Sequence, residues 1–400
     1  MAAARAFIVS ASRTAVGRNK GRISHRHPAE LGAAVVDRVV AGLDFDPADV
    51  DDVIFGCVSQ VGAQAGNLAR NVVLSSSLPV AVPGTTVDRQ CGSGQQALHF
   101  AAQAVMSGTQ DLVIAGGAET MSSIPIMSNL NRDFGEPNSA AAQDRFGKAG
   151  FYSQFVGAEL MGIRYGITRA EMDEFSALSH ARAAAAVKAG AFVDEIVAVD
   201  GLDKDGNPVV HDTDEGIREG TTAEKLSQLD TLVKLGFCPP PMERPEGAIT
   251  AGNASQISDG AAALMVANEA GLRKLGAEPL AEIHTLSLAG TDPVLMLSGP
   301  IPASQAALAR AGLTIDDIDL YEINEAFAVV ALAWAKELKA DPSKLNVNGG
   351  AVALGHPLGA TGAKLMTQLV HELVCRRGKY GLLSICEGGG TSNATIIERC

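Results

Sequence analysis

The strongest constraint on the fold is a series of short, unbroken apolar runs, most of which empty into a glycine or serine turn. Residues 6–9 end at Ser10, 53–55 at Gly56, and 112–115 run into Gly116 and Gly117. Residues 261–266, 319–323 and 382–386 repeat the pattern, the last entering Gly388, Gly389 and Gly390. Runs this short are strands, and runs apolar at every position are strands covered on both faces, as in parallel sheets. Between them lie helical stretches at 31–43, 95–106, 169–188 and about 362–375. Strands alternating with helices define an α/β fold.

The last third of the chain echoes the first. Residues 319–323 resemble the strand at 53–55. Val347 precedes a glycine loop and a helix, as Val87 precedes a loop and a helix, and residues 382–386 enter their glycines as 114–115 enter theirs. Two similar βαβ halves packed together bring equivalent loops to one shared face, where strands end. Between them the character changes: residues 121–246 collect methionine, asparagine, proline and charge, and 232–245 carry four prolines, which excludes regular structure there. The expected organisation is an N-terminal half from residues 1–120 plus 247–275, an inserted loop domain at 121–246, and a C-terminal half at 276–400. Four hundred residues, 46% of them hydrophobic, suffice for cores of that size.

Composition removes several functions. Aromatic content of 4% and a net charge of −13 leave none of the interleaved basic and aromatic residues of a nucleic-acid surface. An anionic ligand must therefore be drawn by local positive charge. The cysteines at 57, 91, 238, 375, 386 and 400 contain no Cys-x-x-Cys and no pairing with histidine, so neither a disulfide framework nor a metal site is expected, and the compartment is reducing. Six basic and no acidic residues stand among the first 29, but a strand already begins at residue 6 and no apolar signal core follows. With no run approaching the roughly 18 apolar residues of a membrane span, the expectation is a cytoplasmic protein.

Four stretches carry chemistry. Cys91 stands before the helix at 95–106, flanked by Gly92, Ser93 and Gly94. Unpaired N–H groups and a positive macrodipole end there should lower its pKa and favour a nucleophilic thiolate. The bland alternative is a small buried hydrophobe. A papain-type pattern is excluded, because Gly94-Gln95 stand where it needs cysteine and an aromatic residue. Asn324-Glu325 follow a strand and read as an ordinary helix cap. His356 lies in a loop with five glycines between 349 and 362, and alone it reads as a turn residue; the loop fits neither a phosphate loop nor a dinucleotide fingerprint. Cys386 sits at a strand end before Gly388.

Together these stretches resemble the thiolase family, from the first strand to the last residues. The cysteine loop at 91, Asn-Glu-Ala-Phe-Ala at 324, Gly-His-Pro-x-Gly at 355 and Cys-x-Gly-Gly-Gly at 386 stand in the family's order and spacing. Thr-Ala-Gly-Asn-Ala-Ser at 250 and Ser-Gly-Pro-Ile-Pro-Ala at 298 add two more matches. The related condensing enzymes of fatty-acid and polyketide synthesis lack the Cys-x-Gly-Gly-Gly loop.

The resemblance implies duplicated halves in five layers, α-β-α-β-α, with an inserted loop domain. It implies an acetyl-CoA C-acyltransferase that cleaves 3-oxoacyl-CoA with CoA, degradative and of the β-oxidation type. Cys91 is then the nucleophile, His356 its proton acceptor, and Cys386 the acid and base at carbon. One oxyanion site uses His356 and a water on Asn324, the other the N–H groups of Cys91 and Gly388. Ala251, Gly252 and Ser255 would border the pantetheine arm, and Met296 and Phe327 the acyl pocket. No cofactor is held permanently, coenzyme A being a substrate; the partners are CoA and acyl-CoA, with neither nucleic acid nor membrane. A homodimer or homotetramer is implied.

The chain also departs from the family. The histidine by which short-chain biosynthetic members touch CoA is missing around 153–159, and the usual Leu-Arg-Pro-Ala-Phe segment is replaced by a longer 232–241 stretch. Phe237 and Met242 in that region would widen the acyl wall, whereas Arg218, Lys225 and Lys234 read as solvated charges. The alternatives are a biosynthetic acetyl-CoA C-acetyltransferase, a non-catalytic acyl-CoA or lipid carrier, and an NAD-linked dehydrogenase; the last lacks Gly-x-Gly-x-x-Gly after a strand.

Overall fold

In the computed structural model, which describes residues 4–130, 133, 135–146 and 153–400, the apolar runs become neighbours in a single long sheet. Its principal strands are β1 (Phe7–Thr14), β2 (Asp52–Gly56), β3 (Gly84–Val87), β4 (Leu112–Thr120), β5 (Ser258–Ala267), β6 (Ala281–Gly290), β7 (Leu320–Ile323), β8 (Tyr380–Glu387) and β9 (Thr391–Arg399). The helices that build the layers are α1 (Pro28–Val40), α2 (Leu68–Ser75), α3 (Ser93–Ser107), α4 (Arg169–Ala189), α5 (Pro300–Ala311), α6 (Ala328–Leu338) and α7 (Leu358–Arg376). The spatial strand order is β7-β8-β9-β6-β1-β5-β4-β2-β3.

The two halves match pair by pair. In the first, β2 runs parallel to β3 and β4, then β4-β5 and β5-β1 are antiparallel. In the second, β7 runs parallel to β8, then β8-β9 and β9-β6 are antiparallel. The counterpart of β3 is reduced to one parallel bridge between Tyr321 and Leu345. The halves meet at β1 and β6 through only Phe7↔Glu282 and Ile8↔Ala281. The parallel pairing expected from continuous apolar runs holds for β2, β3, β4, β7 and β8 among themselves but is corrected for β5, which is covered on both faces while pairing antiparallel on both sides. β6 alternates buried and part-exposed residues, the period-2 signature of a strand with one open face.

Five layers follow from which residues share a core. Leu98, Ala101, Ala102 and Val105 of α3 and Met366, Leu369, Val370 and Leu373 of α7 pack with Val113 and Leu264 of one half and Leu383 and Ile397 of the other. These two helices form the middle layer between the half-sheets. On the far face of the first half, α1 and α2 bury Leu31, Val35, Leu68 and Val72 against Val53 and Ile114. Trp334 and Val330 of α6 with Ala307 of α5 cover Tyr321 and Ile396 of the second. Each such aliphatic side chain, fully removed from water, contributes about 1.5–3 kcal/mol.

The inserted segment is tied down by charge. Arg13 of β1, fully buried, meets Glu195 at 2.7 Å and Asp214 at 2.8 Å, and its guanidinium lies over the Phe192 ring. Removing one member would leave a buried charge without its partner.

Candidate active site

Glycine sets the middle layer. A Cβ on Gly362 would lie 2.0 Å from Gln95 N, and one on Gly94 would lie 2.8 Å from Gly359 O. The first turns of α3 and α7 therefore touch backbone to backbone, bringing together the loops that precede them. Before α3, Ser93 Oγ accepts from Arg89 N at 2.9 Å and donates to Gln90 O at 2.6 Å, while Asp88 accepts from Gln90 N. Gln90 is held at φ 48°, a left-handed conformation unusual for its type. This pinned turn presents Cys91, half-buried, immediately before Gly92 at the helix cap.

Cys386, fully buried at the end of β8, lies near enough to Cys91 for their charges to interact. The N–H groups of Cys91 itself and of Gly388 reach the Cys91 sulfur and favour its anion. The expected low pKa is nonetheless corrected. Burial, then the neighbouring Glu387 carboxyl, push the Cys91 thiol up to about 12. Desolvation outweighs the helix end. Burial first, then Cys91, also push Cys386 up. The resting site holds two thiols.

His356 is buried on the loop before α7. Thr361 Oγ donates its one proton to Pro357 O at 2.8 Å, so the 2.6 Å contact from His356 Nδ1 must be an N–H donated to that oxygen. That fixes the tautomer and leaves Nε2 as the acceptor. Asn324 Nδ2 lies 3.4 Å from Nε2, and Asn324 Oδ1 is buried with no partner among the described residues. Burial, then Lys364, hold His356 down at about 3, so it is neutral at ordinary pH.

Asn324 and Glu325 are not caps: α6 starts at Ala328 behind Phe327. Glu325 is buried and accepts from Ser179, Asn346 and the N–H of Val352. A comparable clamp escaped the sequence reading. Glu119, at the end of β4, accepts from the N–H groups of Val58, Ser59 and Gly359 and from Gln64, fastening the start of α7 to the first half. A charged residue ending an apolar strand was its signal.

The chain matches the thiolase N-terminal domain family over residues 6–270 and the thiolase C-terminal domain family over 277–399. It belongs to the thiolase family. It is 50% identical to the steroid 3-ketoacyl-CoA thiolase FadA6 of Mycobacterium tuberculosis, over 98% of this chain and 94% of that protein. It is 41% identical to the 3-ketoacyl-CoA thiolase of Bacillus subtilis, over 99% of both. The crystal structure of the Bacillus anthracis acetyl-CoA acetyltransferase superposes with a TM-score of 0.87 at 37% identity, over 100% of this chain and 99% of that one.

In this thiolase the stretch at 250–255 borders open space. Ala251 and Ser255 line a cavity of about 720 Å³ with Arg18, Arg22 and Arg218. Ala251 and Gly252 line a second, of about 340 Å³, with Arg218 and Lys225. Arg218 and Lys225 thus face cavities, correcting their reading as plain surface charges, while Lys234 pairs at the surface with Glu246 at 3.4 Å. The stretch is continuous with the reactive centre. Ser255 N donates to Ala326 O, two residues after Asn324, and Ser258 Oγ accepts from His356 N.

Met296 and Phe327 are buried in the core of the second half, Met296 at φ 52°. Phe155 stands edge-on to Phe327 at 6.0 Å and to Phe237 at 6.1 Å, so Phe237 joins that wall through an intermediary. Met242 is 94% exposed and forms no wall. Among the described residues no cluster of His, Cys, Asp or Glu could hold a metal ion, and no helix is long and apolar enough to cross a membrane.

Proposed function

We propose that this thiolase cleaves 3-oxoacyl-CoA with CoA to give an acyl-CoA shortened by two carbons and acetyl-CoA. What supports the reading is two neighbouring pairs, Cys91 beside Cys386 with two N–H groups at the Cys91 sulfur, and His356 beside Asn324, linked because Cys91 packs on the cluster that holds Leu358 and Asn324 N donates to Ser384 O. His356 Nε2 takes the Cys91 proton as the sulfur attacks the 3-oxo carbon. The N–H groups of Cys91 and Gly388 hold the resulting oxyanion, and the bond between carbons two and three breaks. The enolate oxygen of the departing acetyl-CoA is held by His356 Nε2–H and by a water on Asn324 Oδ1. Cys386 gives its proton to the carbon, then takes one from incoming CoA, whose sulfur receives the acyl group; Cys91 leaves as a thiolate and takes its proton back from His356.

The cavity beside Ser255 and Ala251 is assigned to CoA. Arg18, Arg22 and Arg218 outnumber Asp214 and Glu215 in its lining, which leaves the local positive charge that an overall acidic protein needs to hold phosphates. The acyl substrate is assigned as longer or bulkier than acetoacetyl-CoA. This is supported by half-identity to a protein named for steroid substrates and by the edge-on contacts of Phe155 with Phe327 and with Phe237, the last 61% exposed. Met296 completes that wall. The competing reading, condensation of two acetyl-CoA, draws on the 42% identity to the acetyl-CoA acetyltransferase of Chromobacterium violaceum. A chain-length series of kcat/KM in the thiolysis direction separates them, because each buried methylene is worth about 0.8 kcal/mol. An optimum at acetoacetyl-CoA would overturn the degradative assignment. A homodimer or homotetramer in the cytoplasm is part of the same proposal.

A further inference from the structure

The residue between Cys386 and Gly388 is a glutamate, and nothing in the steps above uses it. Glu387 is fully buried at the end of β8. Its Oε2 accepts from Thr391 Oγ at 2.6 Å, across the hairpin on β9. Its Oε1 is buried with no hydrogen-bond partner among the described residues. That oxygen is pressed on the cysteine loop: a Cβ built on Gly92 would lie 1.9 Å from it. Only glycine beside Cys91 leaves room for the carboxyl. A buried carboxylate with an unmet oxygen costs far more as an anion than as an acid.

The groups facing it are few. Arg89, from the loop before α3, favours its charge from one side; Thr391 and the Asn393 N–H do so from β9. Against them stand its burial and the two thiols, each of whose ionisation its charge opposes. Burial dominates and pushes Glu387 up to about 8.

We propose that Glu387 is a positioning residue for Cys91, kept as an uncharged acid over Gly92, whose ionisation suppresses the Cys91 thiolate. The inference rests on the reading of Cys91 as nucleophile. Below its own pKa Glu387 is neutral and leaves Cys91 to His356 and the two N–H groups. Above it, the new charge beside the sulfur brings the Cys91 pKa up to its full value of about 12.

Alkylation of Cys91 by iodoacetamide, followed by peptide mass spectrometry, reads this without any turnover. Across about pH 6 to 10 a thiol gains roughly tenfold in thiolate per pH unit below its pKa. The native enzyme should follow that slope to about pH 8 and rise more slowly above it. Glu387→Gln, of the same shape, should follow the native rate below the break and rise unbroken above it, ending at least about threefold faster; each unit of relieved pKa is worth tenfold. Identical profiles overturn the proposal. Thr391→Val, which removes a bond favouring the ionised acid, should move the break to higher pH, and an unmoved break also overturns it. The second variant decides the matter should the first fail to fold. Because alkylation needs no acyl transfer, failure here leaves the thiolysis reading standing. Absence of an acyl adduct on Cys91 would sink that reading without altering these profiles.

Discussion

Gly362→Ala is a test of sign as well as size. In the interior of α7, alanine for glycine should stabilise by about 1 kcal/mol, because glycine loses more backbone freedom on folding. The added Cβ, however, would stand 2.0 Å from Gln95 N and 2.7 Å from Gln95 Cα. Carbon contacts are comfortable at about 3.5 Å, so α3 and α7 must part by about 1.5 Å at that point. The obstacle is backbone and cannot rotate away, which puts the overpacking cost at or above the usual upper figure of about 3 kcal/mol. The net expectation is destabilisation by about 2 kcal/mol. The functional effect should be larger, since α3 carries Cys91 and α7 follows His356. A displacement of about 1 Å between reacting groups costs on the order of a hundredfold in rate. Urea unfolding of native and variant protein, with kcat for thiolysis and alkylation of Cys91, measures all of this. The variant should unfold at lower urea, turn over about a hundredfold more slowly, and keep an alkylatable Cys91. A variant as stable as the native protein, or more so, would refute the helix contact and the argument that glycine creates the site.

Incubation with an acyl-CoA should leave its acyl group on Cys91, seen by peptide mass spectrometry; Cys91→Ser should remove nearly all turnover, because a serine hydroxyl ionises far less readily than a thiol. Cys386→Ser should stop cleavage and condensation while leaving acylation of Cys91 by a simple acyl-CoA. Equal loss of acylation in both variants would remove Cys386 from the proton-transfer role. With His356 held at about 3, kcat/KM should show no acid limb at the ordinary imidazole value of about 6.5. The sign follows from burial: the neutral base persists from alkaline pH down to about 3, and a limb near 6.5 would show the ring to be solvated. Glu119→Gln puts an amide NH2 where one oxygen accepts from two N–H donors, so those donors are orphaned. A loss of about 1–3 kcal/mol is expected in urea unfolding, and an unchanged midpoint would mean the clamp is idle.

Much of the fold was legible because buried strands and capped runs of good helix formers leave a local signature. The runs at 53–55, 112–115 and 382–386 became β2, β4 and β8, and the stretch at 169–188 became α4 within a residue. The motifs at 91, 324, 355 and 386 were legible as well, since their residue types and order lie on the chain itself. Their meeting was not. It depends on Gly94 and Gly362 letting two helices touch, a contact between residues 268 positions apart that no local pattern encodes. Nor could the chain show how the environment sets charge. The sequence placed Cys91 at a helix start and called for a low pKa; tertiary structure buried it beside Glu387 and reversed the sign. Asn324 looked like a cap until packing started α6 at Ala328 and turned the side chain to His356. Residue type and order are properties of the covalent chain, whereas desolvation and proximity belong to the packed molecule: the order of residues says which groups are present, and packing sets which of them are neutral, paired and within reach of one another.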